Sequence, residues 1–202
     1  MIGAMKIRSL ALAPVLALAF ALPAMAEKIS LNELSNYLNG LSTMNGKFTQ
    51  VNNDGSISTG QIYIQRPGRV RFEYNNDKQL VLASGGQVAV FDSKSNNGPQ
   101  QYPLSETPLS IILAQNVNLG RANMVTGHSE QKNSTVVTAQ DPAHPEYGNI
   151  QMVFTAGPTE LRQWVVTDNA GEKTTVILGE MAKGARFPAS TFSINDEVAR
   201  RK

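Results

Sequence analysis

Arg69-Val70-Arg71-Phe72-Glu73-Tyr74 alternates charged and bulky apolar or aromatic side chains without a break. Successive side chains of an extended strand point to opposite faces, so Val70, Phe72 and Tyr74 share one face and Arg69, Arg71 and Glu73 the other. The stretch reads as a strand with one apolar and one wet face, the pattern of an antiparallel sheet. Similar short runs lie on both sides of it: Lys47 to Val51, Gly60 to Gln65, Gln79 to Ala83, Gln87 to Asp92, Ser134 to Ala139, Asn149 to Thr155, Leu161 to Thr167, Lys173 to Gly179 and Thr191 to Ile194, about ten strands in all. Between them stand Asn53-Asp54-Gly55, Pro67-Gly68, Asn75-Asn76-Asp77, Ser84-Gly85-Gly86 and Asp168-Asn169-Ala170-Gly171, residues that favour tight reversals. Short strands joined by short turns make antiparallel neighbours and leave no room for parallel crossovers.

Two helical stretches interrupt the strands. Ser30 stands at a helix start with Glu33 three residues on, and Leu31, Leu34, Leu38 and Leu41 recur at helical spacing. Asn32, Ser35, Asn36 and Asn39 place the opposite face in water, so the helix must lie on something apolar. Near the middle, Thr107 is a candidate cap, Pro108 suits the first helical position, and Leu109, Ile112 and Leu113 form an apolar stripe that ends around Asn116 to Gly120. The fold class is therefore α+β, a large antiparallel sheet covered by a few helices. The charged tail from Asp196 to Lys202 reads as a solvated end.

Residues 1–26 read as a secretory signal: Lys6 and Arg8 precede the apolar run Leu10 to Leu22, and Ala24-Met25-Ala26 is a small-x-small cleavage site. Cleavage after Ala26 leaves a single exported domain, residues 27–202. The 18 basic residues then fall to 16 against 16 acidic ones, a formally neutral chain. Neutrality removes the electrostatic case for nucleic acid and for a standing membrane attachment. The chain contains no cysteine, which excludes disulfides, thiol catalysis and cysteine metal sites.

No Gly-x-Ser-x-Gly elbow, His-Glu-x-x-His helix, phosphate loop or dinucleotide glycine pattern occurs, and the expectation is a protein that is not an enzyme and needs no cofactor or metal. His128 and His144 both sit in loop-like sequence. Asp141-Pro142-Ala143-His144-Pro145-Glu146 gathers two carboxylates and a histidine, but its two prolines make it a rigid turn, and hard-cation sites need about six oxygens from several positions.

The hairpin that contains the opening stretch, Gly60-Gln61-Ile62-Tyr63-Ile64-Gln65-Arg66-Pro67-Gly68 followed by Arg69 to Tyr74, resembles the periplasmic outer-membrane lipoprotein carrier family, as does Gly46-Lys47-Phe48-Thr49-Gln50 before it. Gln79 to Gly86 resembles the family's next hairpin, Thr107-Pro108-Leu109-Ser110 its lid helix, and Phe187-Pro188-Ala189-Ser190-Thr191-Phe192 its closing strand. The resemblance implies an unclosed, strongly curved half-barrel of about ten or eleven strands, with lid helices over its mouth and a cavity for acyl chains. It assigns Arg66 to a latch, whose guanidinium donates to backbone carbonyls of the covering helices. The same carry-over places Val70, Phe72, Leu80, Leu82, Val88 and Val90 on the sheet wall of the cavity and Leu34, Leu38, Leu109, Ile112 and Leu113 on its helical roof. The chain departs from the family where Ser84-Gly85-Gly86 lacks an acidic residue and where Val90 and Asp92 replace frequent aromatics, which predicts an aliphatic lining with Trp164 as the one tryptophan.

The partners implied are acylated lipoproteins, an inner-membrane lipoprotein-releasing ABC transporter as donor and an outer-membrane acceptor, served by a monomeric carrier. Burying a methylene is worth about 0.8 kcal/mol, so a chain of about 16 carbons costs on the order of 10 kcal/mol to return to water. Release into solution is too unfavourable, and the cargo must be handed on. The alternative reading on the same fold is a lipid- or lipoprotein-sensing envelope regulator, since a fold does not fix a function.

Overall fold

The computed structural model describes residues 28–75, 78–92 and 98–202. The secretory segment expected over residues 1–26 lies outside them. Helix α1 (Leu31–Gly40) is followed by six strands, β1 (Thr43–Val51), β2 (Ile57–Gln65), β3 (Arg69–Tyr74), β4 (Leu80–Ser84), β5 (Gln87–Phe91) and β6 (Gln100–Pro103). A short helix α2 (Leu109–Leu113) then leads into β7 (Val125–Gln131), β8 (Ser134–Gln140), β9 (Asn149–Thr155), β10 (Glu160–Thr167) and β11 (Lys173–Lys183), and the chain ends in α3 (Ile194–Arg200).

All eleven strands form one antiparallel sheet in the order β6-β5-β4-β3-β2-β1-β11-β10-β9-β8-β7. Each half of the chain is a meander, and the two are stitched along β1 and β11, where Met44 faces Lys183 and Val51 faces Thr175. β6 and β7 end the order without pairing to each other, so the sheet is an open half-barrel, as expected. Its bending has local causes. Bulges interrupt the β1–β11 pair at Gly46/Phe48 and the β9–β10 pair at Leu161/Gln163, and a bulge sharpens the local twist. At Gly60 a Cβ would meet Glu73 O at 1.9 Å and Phe48 Cε1 at 2.7 Å, so only glycine lets β2 and β3 approach so closely there. The β4–β5 turn is just Gly85-Gly86, both at positive φ, as a two-residue hairpin of this hand demands.

The concave face holds the main core. Val70, Phe72, Ala83 and Val88 from the first meander and Met152, Phe154 and Trp164 from the second pack with Leu34 and Leu38 of α1 and Ile111, Ile112 and Leu113 of α2. A second cluster lies on the convex face of β2–β5, where Leu80, Leu82, Ala89 and Phe91 are covered by Phe187, Phe192, Ile194 and Val198.

That second cluster corrects several expectations. Neither the strand expected over Thr191 to Ile194 nor the closing strand expected over Phe187 to Phe192 is present: Ala189–Phe192 is a 3-10 turn running into α3, with Ser193 Oγ accepting from Asp196 N at 3.1 Å. The tail is likewise no solvated end, since Glu197 is buried against Arg71. Strands β6 and β7 were not expected, because Gln-Gln-Tyr-Pro and Thr-Gly-His-Ser-Glu-Gln lack apolar alternation; both are edges, wet where a central strand would be covered. His128 consequently lies in a strand rather than a loop, its Nε2 2.9 Å from Ile29 O. Thr107 does not cap α2, for its hydroxyl donates to Leu104 O at 2.8 Å and closes the preceding 3-10 turn.

Candidate functional site

Helix α1 forms because its leucines repeat at helical spacing and Ser30 Oγ accepts from Glu33 N at 3.2 Å. It is seated on the second meander: Tyr37 Oη accepts from Leu161 N at 3.0 Å and the Glu33 carboxylate accepts from Thr159 Oγ1 at 3.0 Å. Helix α2 is seated on the first, with Gly68 N donating to Leu113 O at 2.8 Å. Both helices pack on the concave face, and beside α2 opens a cavity of about 510 Å³ lined by Phe72, Val81, Val88, Leu109, Trp164 and Val176 together with polar side chains such as Gln50, Tyr102, Glu106 and Asp168; no residue of α1 lines it. That size falls within the roughly 300–1,000 Å³ usual for a pocket that buries one small ligand.

Of the residues expected at the site, Phe72, Val88 and Leu109 line this opening. Val70, Leu34, Leu38, Ile112 and Leu113 belong to the core around it, with Val90 half-buried against them. Leu80 and Leu82 do not. In the β3–β4 register Val70 faces Ala83 and Phe72 faces Val81, which turns Leu80 and Leu82 outward into the convex cluster. A shift of one residue exchanges the faces of a strand, and Val81 takes the place expected of its neighbours. The lining is also not purely aliphatic. Phe72 meets Phe48 edge-on at 5.2 Å and Trp164 at 6.4 Å, and Phe48 meets Tyr74 at 5.3 Å, an aromatic floor running beneath the helices.

Arg66, at the turn between β2 and β3, joins the two helices. One guanidinium nitrogen donates to Leu38 O and, at 3.4 Å, to Leu41 O; the other donates to Ala114 O at 2.5 Å and to Asn39 Oδ1 at 3.4 Å. These carbonyls lie in the last turn of α1 and just past its end and the end of α2, where the dipole is negative; Leu38 O also accepts from Leu41 N at 3.2 Å. Arginine's fixed fork of donors reaches several at once. Burial pulls its pKa below the ordinary guanidinium value, and its Nε is enclosed without a partner.

Two further residues of α1 bind the segment after α2, Asn39 while remaining exposed as expected and Ser35 from a buried position. Asn39 Nδ2 donates to Val117 O at 2.8 Å while its Oδ1 accepts from Val117 N at 2.8 Å. Ser35 Oγ accepts from Leu119 N at 3.0 Å and donates to Leu31 O at 2.7 Å. Ser35 and Asn39 stand four apart and so share one stripe of α1, but Asn32 and Asn36 have the same spacing, and only the bonds to Val117 and Leu119 tell the pairs apart.

At the open end Tyr74 donates its hydroxyl to Gln50 Oε1 at 2.8 Å, and burial pushes its pKa up to about 12 from 10.0. A raised phenol pKa contributes stability that is complete below about pH 10 and is lost as pH climbs to about 12. Tyr74→Phe should therefore lose less stability across that window than wild type, by on the order of 2 kcal/mol, in urea denaturation at each pH; equal slopes for both proteins would refute it.

Among the described residues no group of three or more His, Asp or Glu side chains is placed to hold a metal ion. His144 Nδ1 instead lies 2.9 Å from Glu146 Oε1 and the ring stacks on Tyr147. No helix of the described residues is long and apolar enough to cross a membrane.

The family model described as Outer membrane lipoprotein carrier protein LolA matches residues 39–195. An outer-membrane lipoprotein carrier protein of Coxiella burnetii is 24% identical over 178 residues, covering 84% of this chain and 79% of its own length. Its counterpart in Chromobacterium violaceum is 24% identical over 185 residues, covering 88% of each. Among solved structures, a LolA superfamily protein from Nitrosomonas europaea aligns over 82% of this chain and 98% of its own, with 10% identity and a TM-score of 0.42.

Proposed function

The chain belongs to the outer-membrane lipoprotein carrier family, and from that premise we propose that it is exported to the periplasm, loses its signal after Ala26, and as a monomer of one domain, residues 27–202, carries the acyl chains of lipoproteins in the roofed cavity. The donor is an inner-membrane ABC transporter, which supplies the energy of extraction, and the acceptor lies at the outer membrane. The observation that carries the reading is Arg66, whose one guanidinium ties the ends of both helices together beside a partly apolar cavity to which α2 contributes Leu109.

The roof gives the cavity two competing occupants. With no cargo, the helices cover the aromatic floor with their own leucines. Cargo must displace them, so the free energy of closing the roof is subtracted from the affinity for acyl chains. That subtraction keeps a ligand worth on the order of 10 kcal/mol of apolar burial transferable to an acceptor that binds it better. The chain's own residues do nothing covalent; they shield, hold and let go.

Arg66→Leu tests this. The variant should fold and accept acylated cargo, bind it about tenfold more tightly or better because the latch no longer competes, and deliver it poorly in a two-membrane transfer assay. Normal delivery by Arg66→Leu would sink the latch assignment. Failure of the wild-type protein to bind acylated cargo at all would sink the carrier reading.

A further inference from the structure

The sheet has two free edges, and they are not equivalent. β7 has the chain's own N-terminal residues beside it, with His128 Nε2 against Ile29 O. β6 pairs with β5 on one side and with no described element on the other. Gln100, Gln101 and Tyr102 are all exposed there, Tyr102 to 41%. Tyr102 also lines the mouth of the cavity, to which β7 contributes no lining residue.

The backbone of β6 has a readable polarity. Leu104 N donates to Gly86 O at 2.9 Å, toward β5. Backbone groups alternate in direction along a strand, so Tyr102 and Gln100 also point to β5 while Gln101 points away from the sheet with both its N–H and its C=O. Pro99 and Pro103, which share its parity, have no N–H to offer. The edge is thus short: one donor at Gln101 flanked by carbonyl acceptors. Two prolines also bar a long strand from adding to it and polymerising.

We infer that the β6 edge docks, by a short antiparallel or parallel backbone pairing centred on Gln101, the extended polypeptide that directly follows the acylated residue of the cargo. The inference rests on the proposed acyl-carrier reading. A chain whose lipid lies in the cavity must leave it at the mouth, and the free edge that reaches the mouth is β6. An extended peptide that adds to a sheet edge gains affinity from main-chain bonds, with little demand on its side chains, which suits a carrier for cargo of varied sequence.

The test compares two probes, sodium palmitate and a short synthetic peptide carrying one palmitoyl chain on its N-terminal residue, by fluorescence displacement on the mature protein. Gln101→Pro removes the outward N–H at a position that makes no ladder bond, so the sheet keeps its pairing; Gln101→Ala keeps the N–H. The expected result is that Gln101→Pro binds the lipopeptide about fivefold to tenfold more weakly while palmitate is unaffected, and that Gln101→Ala matches wild type for both. Equal lipopeptide binding by Gln101→Pro and wild type overturns the docking edge and leaves the acyl cavity standing. Equal losses for both probes mean that the cavity itself was disturbed and also overturn it. If wild type binds neither probe, the carrier reading fails and this inference with it.

Discussion

Glu197→Leu is expected to lower stability by about 3–5 kcal/mol, the range for stripping one partner from a buried ion pair. Glu197 sits behind the cavity, on the far side of β3 from Phe72. Its Oε2 accepts from both terminal nitrogens of Arg71 at 3.1 Å and from Arg200 at 2.8 Å, and its Oε1 accepts from Arg201 at 2.8 Å. Burial disfavours the carboxylate, yet the bonds and charges of Arg201, Arg71 and Arg200 outweigh it and hold the pKa below the usual glutamate value. With leucine there, Arg71, whose side chain is only 9% exposed, keeps Glu73 at 2.6 Å and Thr191 O at 3.3 Å but loses its buried counter-charge. α3 should come away from the convex cluster. Urea denaturation gives the number, and Arg71→Met combined with Glu197→Leu should recover much of the loss, since an apolar pair replaces the stranded charge. A single-variant loss under about 1 kcal/mol would show that the pair does not hold α3.

The second large effect is at Trp164, 2% exposed, which meets Phe72 edge-on and lines the cavity with it. Trp164→Ala should destabilise the unliganded protein by about 3–5 kcal/mol through lost burial and the void left behind. Because that void opens into a cavity meant to be filled, saturating palmitate should return part of the loss, by mass action on the folded state. The measurement is the denaturation midpoint of wild type and variant, each with and without palmitate. A ligand-independent loss would mean that Trp164 is core alone and that the acyl chain lies elsewhere.

Much of the first meander was legible from residue order. The alternation of Arg69 to Tyr74 divided the side chains of β3 between two faces, although the charged face is not wet at Arg71, which is buried, and paired glycines gave the β4–β5 turn. Leu80-Val81-Leu82-Ala83 was not legible in the same way, because the sheet there is buried on both sides and a run apolar on both faces carries no alternation to orient it. What buries the outer side is the C-terminal segment, whose charges read as a solvated tail until Glu197 is seen paired with Arg71. The polar edges β6 and β7 were hidden for the opposite reason, having too little apolar surface to announce a strand. The latch at Arg66 came from resemblance; nothing in an arginine before a proline turn says which carbonyls it will reach. Ser35 read with Asn32, Asn36 and Asn39 as one wet face, and its burial was hidden because the segment that Ser35 and Asn39 bind, Val117 to Leu119, is remote in sequence.

The seam between the meanders bears on how the chain reaches this state. β1 opens the first meander and β11 closes the second, and Met44 pairs with Lys183, 183 − 44 = 139 residues away. Each meander can zip locally as it is made, but the seam closes only after both are available, and contacts so distant in sequence are slow to form. Until then β1 presents an unpaired inner edge beside exposed apolar surface, the condition under which partly folded chains associate. The seam is thus the part of this topology whose closure depends most on the far ends of the chain finding each other, and the apolar surface that serves the folded carrier is a liability until they do.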